Sequence, residues 1–292
     1  IRQKWMFGVP MIAGAGWVSL LIAPVLGAVL LTLGSLGTLA ILAVMVRREP
    51  HVHTIVMALG ALAWVIGNIL WMLGWPIFQI VFWWIAFLTL TIGGERLELS
   101  RVLRPTPNQI RLFNIFAAAL LSGALLATFE MNLGSRLGGF ALLGLAIWFL
   151  RFDLARHNLR HPNPLTRYIA TCLFGGYIWL GISGATFLYW GALYAGSLYD
   201  AALHAVFVGF VIAMIFGHAP IIFPAILGAQ IHFQSAFYGH LGLLHLSLAL
   251  RLAGNLANLY ELRKWGGLLN EIAILLFLAM TVFSIWKGRK TQ

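Results

Sequence analysis

Apolar residues run through this chain in blocks of about twenty, and polar positions gather in short clusters between the blocks rather than recurring every third or fourth residue. A helix needs roughly 20 apolar residues to cross a bilayer, so each block reads as one crossing. The blocks cover 6–24, 27–46, 54–73, 76–95, 109–129, 133–150, 168–190, 200–222, 231–252 and 266–286. The pattern predicts an all-α, polytopic membrane helix bundle of about ten transmembrane helices. It predicts a single integral membrane domain over 1–292, with short loops that make successive helices antiparallel neighbours. Pro24, Gly34 and Gly37 blur the break between the first two blocks.

Composition agrees: 61% of residues are hydrophobic and 9% charged, where a soluble domain carries about a quarter charged. The net charge of +11 would suggest nucleic acid in a soluble chain. Here the basic residues sit in loops, so no nucleic-acid partner is expected and the lipid bilayer is the expected surrounding. With the N-terminus inside, 15 basic residues fall on the cytoplasmic face: Arg2, Lys4, Arg47, Arg48, Arg96, Arg101, Arg104, Arg111, Arg151, Arg156, Arg160, Arg167, Lys287, Arg289 and Lys290. Four fall outside: Arg136, Arg251, Arg263 and Lys264. That asymmetry predicts cytoplasmic N- and C-termini in a bacterial-type cytoplasmic (inner) membrane. Trp71, Trp75, Trp190 and Trp265 mark the outer boundary, and Trp5 and Trp286 the inner one.

Two cytoplasmic connections resemble each other. Arg96-Leu97-Glu98 leads on to Pro105-Thr106-Pro107-Asn108, and Arg151-Phe152-Asp153 leads on to Pro162-Asn163-Pro164. They read either as a weak repeat of helix hairpins or as two independent helix stops rich in arginine and proline. The only cysteine, Cys172, lies in an apolar run and reads as a small buried hydrophobe.

Five histidines fall between Leu198 and Ala253: His204, His218, His232, His240 and His245. Imidazole is costly to bury in hydrocarbon without a partner, and a metal or haem iron is a common partner. His204 and His218 are fourteen residues apart, about 21 Å along an ideal helix and on one face of it. By depth on the returning helix, His204 faces His245, His218 faces His232, and His240 lies near the midplane. Such a histidine-bearing helix pair over 200–252 suits two bis-histidine b-type haems, or one outer haem with a separate inner metal site. His232 and His245 point to opposite faces of an ideal helix, which weighs against a four-ligand column. The outer haem site takes His204 and His245. Arg251, about 9 Å further outward, stands at propionate distance, and Asp200 stands one turn before His204. Pairing with Glu271 is the alternative for Arg251. His218, His232 and His240 form the candidate inner metal set, for copper or another transition metal.

The segment His204-Ala205-Val206-Phe207-Val208-Gly209-Phe210, running into Phe216-Gly217-His218-Ala219-Pro220, resembles the histidine-bearing helices of NnrS-type membrane proteins. The likeness covers about 50 residues. It implies haem and copper binding, a link to nitric oxide metabolism, and a distant relation to haem–copper oxidase subunit I. The chain has no adjacent His-His pair, so the likeness does not carry over a two-metal oxygen-reducing centre.

The leading expectation is a membrane redox protein that binds haem b, and a second metal such as copper, for electron transfer or for O2 or NO chemistry. Other membrane or redox subunits are its expected partners. A second reading is a transporter or proton conductor with a midplane polar site built from Asn68, Gln79, His240, Asn270 and Glu271. Pro220 and Pro224 favour it, since broken helices often build such sites. A third is a non-catalytic anchor subunit of a respiratory complex.

Overall fold

The computed structural model describes residues 7–227 and 233–290. His232, Arg2, Lys4 and Trp5 therefore lie outside the described residues. Among the described residues the chain is helical and contains no strand. The helices are α1 (Gly8–Ser19), α2 (Pro24–Arg48), α3 (Val52–Met72), α4 (Ile77–Leu99), α5 (Pro107–Phe129), α6 (Met131–Phe152), α7 (Leu154–Asn158), α8 (Pro164–Trp190), α9 (Ser197–His204), α10 (Ala213–Leu227), α11 (Phe237–Leu256) and α12 (Tyr260–Lys290). A 3-10 turn over Ser100–Leu103 extends α4, and a π-helical stretch over Ala205–Ile212 joins α9 to α10.

Eight helices among the described residues are long and apolar enough to cross a membrane, so the chain is an integral membrane protein. They are α2 to α6, α8, the α9–α10 run and α12. Ten blocks were expected. The two that fall short do so for different reasons. α1 has 12 residues, too few to span. α11 has 20, but His240, His245, Ser247, Arg251 and Asn255 lower its hydropathy. Large side chains such as Met11, Leu21 and Ile22 are more than two-thirds exposed, which is stable only where lipid covers them.

Packing divides the chain into two compact units, Ile1–Ala141 and Leu142–Gln292, with the boundary inside α6. In the first unit α1/α2, α3/α4 and α5/α6 are antiparallel hairpins, held over a core that includes Phe82, Ile85, Leu90, Phe113 and Leu120. α5 and α6 meet backbone to backbone. A Cβ on Gly123 would come within 2.6 Å of the Gly138 nitrogen, and four residues on along α5, four back along α6, Gly134 meets the Ala127 backbone. Small residues at such crossings allow the close contact that drives helix association in lipid. Buried polar groups are tied across helices: Trp83 Nε1 donates to Thr128 Oγ1 at 3.0 Å, Trp84 Nε1 to Asn68 Oδ1 at 3.1 Å, and Asn68 Nδ2 to the Leu31 carbonyl at 3.2 Å.

In the second unit α8 lies against the π stretch and α10, around Tyr168, Tyr177, Phe187, Phe210 and Phe216. α11 and α12 pair along their length. Gly254 meets Arg263, Arg251 meets Gly266, Ser247 meets Asn270 and His240 meets Phe277. Steps of three, four and seven residues back along α11 match equal steps forward along α12, so the two run antiparallel in constant register.

The two similar connections share one device at their exits. Thr106 caps α5 and Pro107 opens it; Asn163 caps α8 and Pro164 opens it. A side-chain oxygen satisfies a first-turn N–H, and proline occupies a position whose missing N–H costs nothing.

Candidate functional site

The π stretch changes the geometry expected of His204 and His218. Bonding i to i+5 winds the chain more slowly than an α-helix, so fourteen residues no longer close on one face. Both histidines are nevertheless held alike. His204 Nδ1 donates to the Asp200 carbonyl at 2.8 Å, and His218 Nδ1 donates to the Met214 carbonyl at 2.7 Å. A carbonyl only accepts, so each neutral ring carries its proton on Nδ1 and its lone pair on Nε2. That is the form in which an imidazole ligates a metal while a backbone partner orients it. His204 also lies 3.3 Å from Asp200 Oδ1.

Asp200 is the hub of this end of the unit. Arg251 Nε donates to its Oδ2 at 3.0 Å and Arg251 Nη2 to its Oδ1 at 2.7 Å, a bidentate fork. Asn255 Nδ2 donates to Oδ2 at 2.7 Å. Arg251 is thereby committed to Asp200; Glu271, the partner weighed for it in sequence, is exposed on α12. The cluster ties α9 to α11, and the Gly266 backbone packs against Arg251 from α12. A cleft of about 400 Å3 opens beside it, lined by Tyr194, Tyr199, Asp200, His204, Arg251 and Arg263 among others.

His245 is not among the residues lining that cleft. It turns to α8, where Trp179 Nε1 donates to its Nδ1 at 2.9 Å. An indole N–H only donates, so the neutral His245 ring carries its proton on Nε2. That nitrogen is buried without a partner and faces Gly175, where a Cβ would come within 2.6 Å of it. His204 and His245 therefore present opposite tautomers, a relation that depth on the two helices did not reveal.

His240 is 2% exposed. The sequence placed it near the midplane; α11 begins at Phe237, so it lies in the first turn of that helix. Its Nε2 hydrogen-bonds with the Tyr168 hydroxyl at 2.9 Å, one turn into α8, and the rings of Phe216, Phe237 and Phe277 surround it. Its Nδ1 is buried without a partner.

Of the residues singled out in sequence, Asp200, His204 and Arg251 come together, while His218, His240 and His245 occupy separate environments. Among the described residues no three His, Cys, Asp or Glu side chains gather in a metal-holding group. His204 and His218 have their Nδ1 tied to a carbonyl, which leaves Nε2 of each as the nitrogen that could ligate a metal, whereas the partnerless Nε2 of His245 carries the proton and offers no lone pair. Three partners were missed: Trp179, Tyr168 and Asn255. The signal for Asn255 was present, four residues after Arg251 on one helix face. Trp179 and Tyr168 carried none, because their contacts join positions 66 and 72 residues apart.

Residues 1–286 match the family described as "Domain of unknown function (DUF8744)". Neither a curated protein nor a solved structure matches the chain.

Proposed function

We propose that this chain, which belongs to the DUF8744 family, is a membrane redox protein that binds b-type haem through the histidines of its second unit. Copper is the candidate second metal, in keeping with the likeness of 204–220 to NnrS-type proteins. The observation that carries the reading is the shared posture of His204 and His218, each with Nδ1 bound to a carbonyl four residues back. Haem iron, when bound, supplies one-electron chemistry. The chain's own residues orient and insulate. Asp200 holds the His204 ring, Arg251 and Asn255 hold Asp200, and the aromatic shell of His240 excludes water. The test is a reduced-minus-oxidised spectrum with metal analysis of purified protein. A haem band that weakens in His204→Ala and His218→Ala supports the reading; protein purified from haem-replete cells with no haem overturns it.

The same proposal takes both termini as cytoplasmic, with α11 as a crossing and α1 running back along α2 toward the inner face, in a bacterial-type inner membrane beside other redox subunits. The constant register of α11 against α12 supports counting α11 as a crossing, because α12 is itself long and apolar enough to span. A second reading, a transporter or proton conductor, draws on the π stretch, on Pro220 and Pro224 inside α10, and on the buried Ser247–Asn270 pair at 2.7 Å. Substrate-dependent uptake by metal-free protein in vesicles would select it over haem binding.

A further inference from the structure

The first unit carries a feature that the redox reading leaves unused. Two apolar cavities of about 240 and 250 Å3 lie end to end between α3 and α5, sharing Leu59 and Leu121 as common lining. Together they follow α3 from Val52 to Ile66, about 21 Å of helix. Their width comes from small side chains, Ala63 on α3 and Ala118 on α5, where larger neighbours would close them. The lining is largely apolar, with Asn114 at one end and Ser122 beside the shared Leu121. Asn114 Oδ1 is buried with no partner, so the protein leaves that one acceptor unused. Arg111, exposed and three residues earlier on the same helix, stands above it toward the start of α5.

We infer that this groove holds one acyl chain of an anionic phospholipid, with the phosphate paired to Arg111. The occupant follows from two matches. A groove that is largely apolar for about 21 Å along a membrane helix suits a lipid tail better than any soluble ligand. The Arg111 guanidinium, three residues nearer the start of α5 than Asn114, selects a negative headgroup, and one cation near the surface contributes roughly a fivefold preference. The site lies wholly within the first unit, so its failure would leave the haem proposal untouched.

Native mass spectrometry of the delipidated full chain, titrated with phosphatidylglycerol or phosphatidylcholine, tests it. The wild type should retain one phosphatidylglycerol about fivefold more strongly than phosphatidylcholine. Arg111→Gln should erase that preference while keeping the tail. Ala118→Phe, which fills the groove from an exposed position, should release both lipids, while Ala118→Ser keeps them. Wild-type retention by Ala118→Phe overturns the groove, and an undiminished preference in Arg111→Gln overturns the headgroup contact. Should Ala118→Phe fail to fold, a photoreactive acyl phosphatidylglycerol decides on the wild type. Crosslinks to 59–63 or 117–122 support the site, and crosslinks confined to other helices overturn it.

Discussion

Trp179 decides what His245 can do. Its indole N–H donates to Nδ1, which places the ring's own proton on Nε2 and withholds the lone pair a metal would use. Trp179→Phe should therefore cost about 1–3 kcal/mol through an unsatisfied buried nitrogen. It should leave the haem-to-protein ratio no lower than in the wild type, as read by pyridine haemochrome assay. Loss of haem in that variant would mean that His245, oriented by the indole, takes part in holding the iron. Asp200 and Arg251 give a second test, since both side chains are less than a quarter exposed. Breaking a charge-assisted, bidentate pair should show as a coupling of about 1.5–3 kcal/mol in a double-mutant cycle of Asp200→Asn and Arg251→Gln. Denaturation in detergent measures it, and additive effects would mean the pair contributes only as two separate side chains. The identities of these residues were legible in sequence; their partners were not, because Asp200 and Arg251 are 51 positions apart.

Helix packing here depends on where glycine meets backbone. At Gly123 a methyl group would press on Gly138 at 2.6 Å, with backbone rather than a yielding side chain in the way. Gly123→Ala should lower thermal stability by about 1–3 kcal/mol, because α5 and α6 must move apart. Gly239 in α11 has nothing within 4 Å of its added Cβ. Gly239→Ala should be neutral or stabilising by up to about 1 kcal/mol, since alanine restricts the unfolded chain. A melt of both variants beside the wild type checks the contrast, and equal losses would refute the packing argument. Period and composition identified most helices, but not the π stretch over Ala205–Ile212. Nothing in an apolar run distinguishes i to i+5 bonding from i to i+4. That stretch is also why an ideal-helix phase misjudged His204 against His218.

For the whole chain, the 15-to-4 division of basic residues makes a topological prediction. In a Cys172→Ala background, single cysteines at the exposed Val102 and at Asn258 should label from opposite sides of the membrane, and one at Thr291 from the same side as Val102. Labelling of Val102 and Asn258 from one side would remove α11 or one of its neighbours from the count of crossings. The bilayer lets so much be read in advance because it demands about twenty apolar residues per crossing and biases charge by side. Those are local rules, answered residue by residue along the chain. By itself the sequence therefore determined an all-helical membrane protein and the set of polar residues that need partners inside it. Only the tertiary structure decided that Arg251 belongs to Asp200, that Trp179 holds His245, and that His240 pairs with Tyr168 at the start of two helices. The reason is physical: a hydrogen bond is settled within about 3 Å, by helix phase and register that apolar composition leaves undetermined.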